Sequence, residues 1–354
     1  MKAMILKEFR ELRRDRRTVA MLVVLPVLLL VMFGYAANFS LSSLRTVVVG
    51  PQAATAEARL PHLFDVASVR PDSGSADARE VLQRGEAQLA IDTTTTPYTA
   101  WVDGADLFAA QTATSALARA GNQVSVQVLF NPDLKTSWYM VPALIGLIMT
   151  FIGTIITSIG LVRERESGTL EQLAVMPFRP SDVILGKIAP YFLLAGIDLI
   201  LVTVLGIGVF GVPFVGNLLI FALGAAVFLF VVLGLGVLIS TLSQNQGQAI
   251  QGAILVLLPQ VLLSGMIFPL AAMPWAVRWI SYCMPLSYFT MVSRGVMLRG
   301  TPIGAATIWL PLLVLTAMAV AIFTLALLRF RRDLAPTRGA RRPTTASIGE
   351  VPGV

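Results

Sequence analysis

The chain has 354 residues, 56% of them hydrophobic and 13% charged, with a mean hydropathy of +0.76 and a formal net charge of +7. Soluble globular chains run at roughly 45–50% apolar and about 25% charged residues, so this composition excludes one and describes an integral membrane protein. One Cys (Cys283) and one His (His62) exclude a disulfide framework and a multi-ligand Cys/His metal site built from this chain alone.

Residues 1–17 place Ile5, Phe9 and Leu12 on one helical side and seven Lys and Arg around the rest, the pattern of an interfacial amphipathic helix. The apolar run 18–37 is long enough to span and exceeds the ~7–15 residues of a signal-peptide core, so it reads as an uncleaved first transmembrane helix. Residues 38–137 change to the composition of a water-soluble domain and hold 10 of the 20 acidic residues. Strands are expected at Thr46–Gly50, Phe64–Val69, Gln88–Asp92 and Tyr98–Val102, and helices at Ala53–Arg59, Ser75–Arg84 and Leu107–Ala120, which makes a small α/β domain.

The second span is expected over 138–162, with Trp138 and Tyr139 at one rim and Arg163 at the other. Gly146, Thr150, Gly153, Thr154, Thr157 and Gly160 form a small, weakly polar stripe along it. Such a stripe marks either close helix packing or the wall of a translocation path. Residues 163–187, RERESGTLEQLAVMPFRPSDVILGK, are charged and lie between apolar runs. Thr169 and Gln172 have capping-box spacing, Leu170, Leu173 and Ala174 share one face of a short helix, and Pro177 stops it. The chain is expected to break at Ser167 and Gly168, to restart at Pro180 and Ser181, and to re-enter the membrane at Gly186 and Lys187. This shape suits contact with a partner, and an ordinary connecting loop is the competing reading.

Further spans follow at 188–211, 218–240 and 248–270. Asp198 carries the one charge inside an apolar span and is costly there, by roughly 2.5–3.5 kcal/mol on insertion scales. It therefore serves either a transport path or a helix-to-helix hydrogen bond. Gln244, Gln248 and Gln251 make a polar stripe at the start of the fifth span, at a cavity mouth or a packed face. Residues 271–305, with Trp275, Trp279, Tyr282, Tyr288 and three arginines, are expected in or dipping into the interface. A sixth span covers 306–328, and the Pro- and Ser/Thr-containing tail 329–354 has the composition of a disordered segment.

The basic residues test the orientation. Residues 1–18, 163–187 and 329–354 together hold 17 of the 27 Lys and Arg, against ten in 38–137 and 271–305. By the positive-inside rule both termini and the charged loop are cytoplasmic, and the α/β domain is outside. The positive charge therefore serves membrane orientation and does not imply a nucleic-acid partner. The fold expected is an all-α membrane protein of six transmembrane helices with an N-terminal interfacial helix, and an α/β extracytoplasmic domain inserted between helices 1 and 2.

No stretch matches G-x-x-x-x-G-K-[ST], G-x-S-x-G or H-E-x-x-H, so the chain has no ATP-binding motif and no visible hydrolase site. It is not read as an enzyme.

The basic start KEFRELRRDRR, the large insertion after the first span, and Arg163-Glu164-Arg165-Glu166 through Gly168-Thr169, Glu171, Pro177, Gly186 and Lys187 resemble the permease subunits of type-2 ATP-binding-cassette exporters. The likeness is to the bacterial multidrug-type branch with a large external domain. Pro285-Leu286-Ser287-Tyr288-Phe289 with Arg294 and Gly300 is similar to that family's segment before its last span. The resemblance implies a second permease, identical or homologous, and two separate ATPase subunits that bind ATP and Mg, none of which this chain holds. It also implies a loop that docks the ATPase through Arg163, Glu164, Arg165, Glu166, Gly168, Thr169, Leu170, Glu171, Leu173, Pro177 and Lys187. Thr150, Thr154, Thr157, Asp198, Gln248 and Gln251 are the candidates for the translocation path. The implied activity is export of a drug-like or lipid-like substrate across the cell membrane. A membrane-anchored receptor or assembly factor using the α/β domain, and a proton-coupled carrier using Asp198, are the alternatives.

Overall fold

The computed structural model describes residues 26, 27, 30, 41–119, 124–168 and 180–334. The expected interfacial helix 1–17, nearly all of the expected span 18–37, residues 169–179 of the charged loop and the tail beyond 334 lie outside these residues.

Residues 44–129 form a five-stranded sheet. Its strands are β1 (Leu44–Val49), β2 (Phe64–Arg70), β3 (Leu89–Asp92), β4 (Tyr98–Asp103) and β5 (Val124–Leu129), in the order β2-β1-β3-β4-β5. All neighbours are parallel except β3 and β4. Helices α1 (Ala53–Glu57) and α3 (Leu107–Arg119) cover one face, where Leu44, Val48, Leu89, Ile91 and Val102 are buried. Helix α2 (Ser75–Gln83) covers the other, over Val47, Val49, Ala90 and Trp101. Both faces of the central strands are thus enclosed, which is why they read as apolar runs without polar alternation. Strand β5 was not expected, although Val124-Ser-Val-Gln-Val-Leu alternates with a period of two and pairs along its whole length with β4.

Five helices among the described residues are long and apolar enough to cross a membrane: Thr136–Glu166, Ile188–Phe210, Leu218–Leu242, Gln246–Leu263 and Ala306–Arg329. They belong to α4 (Thr136–Glu166), α5 (Pro180–Phe210), α6 (Leu218–Leu242), α7 (Gln246–Leu263) and α10 (Ala306–Leu334). Asn131 fixes the entry into α4, its side chain accepting from Lys135 N at 2.9 Å and donating to Lys135 O at 3.1 Å.

Some boundaries differ from expectation. The fifth span ends at Leu263, not 270, because Gly265 turns the chain with a φ of +78°, a conformation glycine adopts freely. Ser264-Gly265 is a turn signal in the sequence, outweighed there by the apolar residues on either side. Within residues 271–305, expected in or dipping into the interface, part of the chain packs inside the protein. After α8 (Trp275–Ser281), helix α9 (Pro285–Arg294) and the π-helical turn Gly295–Arg299 pack in the interior, with Leu286, Phe289, Val292 and Val296 fully buried. Finally, α10 continues through Arg329 to Leu334, so the first residues of the expected disordered tail are helical.

The helical core sits where α4, α6, α9 and α10 meet, and Phe228 of α6 stacks on Phe289 of α9 at 4.6 Å between centroids. Helix α5 is peripheral. Its span is 17% buried against 56% for those of α4 and α6, and Leu193, Ile197, Ile200 and Val204 are exposed.

Candidate functional site

The charged residues that open the loop continue α4 beyond its apolar part. Ser167 closes the helix, and Gly168 follows with a φ of +73°, the left-handed residue that commonly ends helices. Arg163 is exposed, while Glu164 and Arg165 are half-buried. Arg165 reaches across to the end of α6, donating from Nη1 to Ser240 O at 3.2 Å and Ser243 O at 3.0 Å. Next to it, Glu166 accepts from Gln246 N at 3.2 Å and from Gln246 Nε2 at 2.6 Å, at the first residue of α7. The cation therefore meets the negative end of one helix and the carboxylate the positive end of the next, each the favourable pairing with the helix dipole. Of the other expected docking residues, Thr169, Leu170, Glu171, Leu173 and Pro177 lie outside the described residues. Lys187 lies within α5, which starts at Pro180 as the sequence signals, Pro being well suited to a first helical turn.

The stripe on α4 lies in its seams with α6 and α9 and, at Gly160, against Tyr191 of α5. A Cβ on Gly146 would collide with the ring of Phe289, and one on Gly153 would stand 2.8 Å from Val232 Cγ1. On the facing helix, a Cβ on Gly236 would stand 2.8 Å from Thr157 Cβ. Thr150 bonds back to Gly146 O at 2.8 Å, whereas the buried hydroxyls of Thr154 and Thr157 have no hydrogen-bond partner among the described residues. The glutamines separate. Gln248 helps to cap α7, its N donating to Asn245 Oδ1 at 2.9 Å and its Oε1 accepting from Gln244 N at 3.0 Å. Gln251 Oε1 is buried without a partner among the described residues. Asp198 lies on α5 beside the exposed Ile197, and its buried Oδ2 also has no partner there. The structure brings none of these three polar groups, the threonines, Gln251 and Asp198, into a shared hydrogen-bond network among the described residues.

Two arginines of the segment 271–305 make contacts inside the protein. Arg294 of α9 lies over the Tyr139 ring, 3.5 Å from its centroid, and donates to Tyr139 O at 3.0 Å and Gly265 O at 3.1 Å. Tyr139 Oη donates to the same Gly265 carbonyl at 2.9 Å, so α4, α9 and the end of α7 converge on one point. Arg299 pairs with Asp103 at the end of β4, through Nη2 at 2.7 Å and Nε at 2.9 Å. Burial pushes the Asp103 carboxyl above its ordinary value, against the pull of Arg299. Burial alone would lower the Arg299 value, and the carboxylate reverses that. Around the pair, Thr301 Oγ1 donates to Gln83 O at 2.9 Å, Gln83 Nε2 donates to Gly300 O at 3.3 Å, and Thr307 bonds to Arg84 O. The sheet is thereby fastened to the turn that precedes α10. No local spacing signalled this pairing across 196 positions.

Residues 16–328 match the family model described as ABC-2 family transporter protein. The chain belongs to that family. It is 30% identical over 369 residues to the probable multidrug ABC transporter permease YbhS of Escherichia coli K12, covering 94% of this chain and 97% of that one. The probable multidrug ABC transporter permease YbhR of the same organism is 29% identical over 349 residues, 89% of this chain and 94% of the relative. The inner membrane transport permease YhhJ, also of that strain, is 36% identical over 216 residues, 60% and 56% of the two chains. Family, relatives and apolar helices agree that this is an ABC-2 type permease and a multi-pass membrane protein.

Proposed function

We propose that this chain is the permease subunit of an ABC exporter that moves a hydrophobic or amphipathic, drug-like or lipid-like substrate out of the cytoplasm or inner leaflet. Hydrolysis of ATP with Mg on two separate ATPase subunits drives it, and a second permease completes the path. It sits in the cell membrane with both termini and the loop 163–187 cytoplasmic and residues 38–137 outside, as the distribution of basic residues suggests.

The observation that carries the reading is the double attachment of the loop's root. Arg165 binds the end of α6 and Glu166 the start of α7, so a force applied to the loop reaches three spans at once and not α4 alone. Leu170 and Leu173 are the apolar anchors assigned to a groove on the ATPase. Loss of a buried Leu costs on the order of 2–5 kcal/mol, so Leu170→Ala with Leu173→Ala should release the ATPase or uncouple hydrolysis from transport. Retention of bound ATPase and of normal export in the double variant would refute the assignment. Orientation is tested separately, in a Cys283→Ser background. An impermeant thiol reagent should label Ser75→Cys from outside and Thr169→Cys only from inside, and labelling of both from one side contradicts the topology.

A further inference from the structure

Where the sheet domain meets the helices, the chain forms a half-open cavity of about 460 Å³. That is within the ~300–1,000 Å³ of small-molecule sites, and a junction between domains is where such sites concentrate. Leu270, Met291 and Leu310 give it an apolar side. Ser264, Thr290 and Arg294 give it a polar one.

The polar side has unused hydrogen-bonding capacity. Ser264 is 1% exposed and Thr290 2%, and neither hydroxyl has a partner among the described residues. Arg294 uses Nε and Nη1 on backbone carbonyls, and its buried Nη2 has no partner there. Buried polar groups are nearly always satisfied, so three orphans in the wall of one cavity point to a ligand that satisfies them. Thr290 and Arg294 are four residues apart and share a helix face, and Arg294 binds the residue next to Ser264.

Unused donors select the ligand, since the formal charges of Asp103 and Asp106 balance those of Arg299 and Arg294. Among the described residues Arg294 has no carboxylate partner, whereas Arg299, also in the wall, is paired with Asp103. The other charged wall residue, Asp106, already accepts from Gln88 Nε2 at 2.9 Å and from Ala109 N at 3.3 Å. The remaining donors therefore suit an oxyanion. The apolar side continues outward, since Leu310 is 63% exposed and Leu313, one turn on along α10, 64%. We infer that this cavity binds an amphipathic acid, its phosphate-like or carboxylate group held by Arg294, Thr290 and Ser264 and its chain laid along Met291 and Leu310. The site is separate from the loop 163–187, so its failure would leave the ATP-driven permease reading where it stands.

The test uses the full chain in alkyl maltoside micelles free of phospholipid, with dodecyl phosphate carrying a diazirine in its chain as the probe. Photolabelling should saturate, map to peptides containing Met291 or Leu310, and be displaced by plain dodecyl phosphate but not by dodecanol or inorganic phosphate at equal concentration. Thr290→Val should weaken binding about 3- to 10-fold without lowering thermal stability, because its hydroxyl has no partner to lose. Arg294→Gln should weaken it roughly tenfold or more. Because Arg294 also ties helices together, Thr290→Val decides the matter if that variant misfolds. Equal displacement by inorganic phosphate would show a free-anion site, equal displacement by dodecanol a merely greasy cavity, and labelling unaffected by Thr290→Val a different location. Each of these overturns the inference, as does the absence of saturable labelling.

Discussion

Arg165 and Glu166 are neighbours in sequence but attach to opposite ends of two consecutive helices, the arginine to the last carbonyls of α6 and the carboxylate to the first amide of α7. A hydrogen bond from a charged group that is partly buried contributes about 1.5–3 kcal/mol, and an exposed charged contact nearer 0–1 kcal/mol. Arg165→Ala should therefore lower the thermal stability of the purified permease clearly and Glu166→Ala barely. With the ATPase bound, Arg165→Ala should also reduce substrate moved per ATP hydrolysed, and an unchanged ratio would show that the attachment carries no force.

The Asp103–Arg299 pair gives a second contrast. Removing one partner leaves a buried charge uncompensated, at a cost of about 3–5 kcal/mol, whereas an apolar pair of similar volume is often neutral. Asp103→Leu alone should sharply lower the melting temperature of the full chain. Asp103→Leu with Arg299→Met should recover most of it, and a double variant as unstable as the single one would show that shape and not charge fixes the junction.

Glycines on two helices should respond oppositely to the same change. The space beyond Gly146 is filled by Phe289, which cannot yield because it is fully buried and stacked on Phe228. Gly146→Ala should destabilise by roughly 1–3 kcal/mol through overpacking. Gly196 of α5 has nothing within 4 Å of its missing Cβ, so Gly196→Ala should be neutral or stabilise by up to about 1 kcal/mol. Thermal unfolding in detergent separates the two.

Asp198 is the remaining charge within a span. With no hydrogen-bond partner for Oδ2 among the described residues, Asp198→Asn should leave the stability of the isolated chain within about 1 kcal/mol of the parent. In the assembled transporter it should reduce export if the carboxylate faces the path or the second permease. Export at the parent rate would confine Asp198 to a passive position.

The sequence disclosed those elements whose signals are local. Gly168 and Ser167 mark the end of α4 because polarity and glycine coincide there, and Pro180 marks the start of α5 for the same kind of reason. Four of the five strands stand out as short β-branched or apolar runs between turn residues. Strand β5 carries its own alternation, but it is an edge strand without a buried run and was easily absorbed into the approach to the next helix. The packing of α9 inside the protein was only partly legible, for a different reason. Its Trp, Tyr and Arg neighbours have the composition of an interface, whereas Arg294 is accommodated by two carbonyls and an aromatic ring drawn from elements far away in sequence. Asp103 and Arg299 illustrate the general limit, since a pairing that forms only through tertiary structure has no spacing to read. The docking role of Leu170 and Leu173 rests on sequence and resemblance alone.

Among the described residues the sheet domain is attached to the helices in two places, to α4 through Asn131 and through Phe108 against Tyr139, and to the turn before α10 through Asp103 and Gln83. A body pinned at two points has lost the swivel that a single tether permits. If α4 and α10 tilt relative to each other during a transport cycle, the strain falls on the paired ends of β4 and β5, where Asp103 lies opposite Leu129. The domain then behaves as a strut whose geometry limits how far those two helices separate, and its orientation reads out their angle.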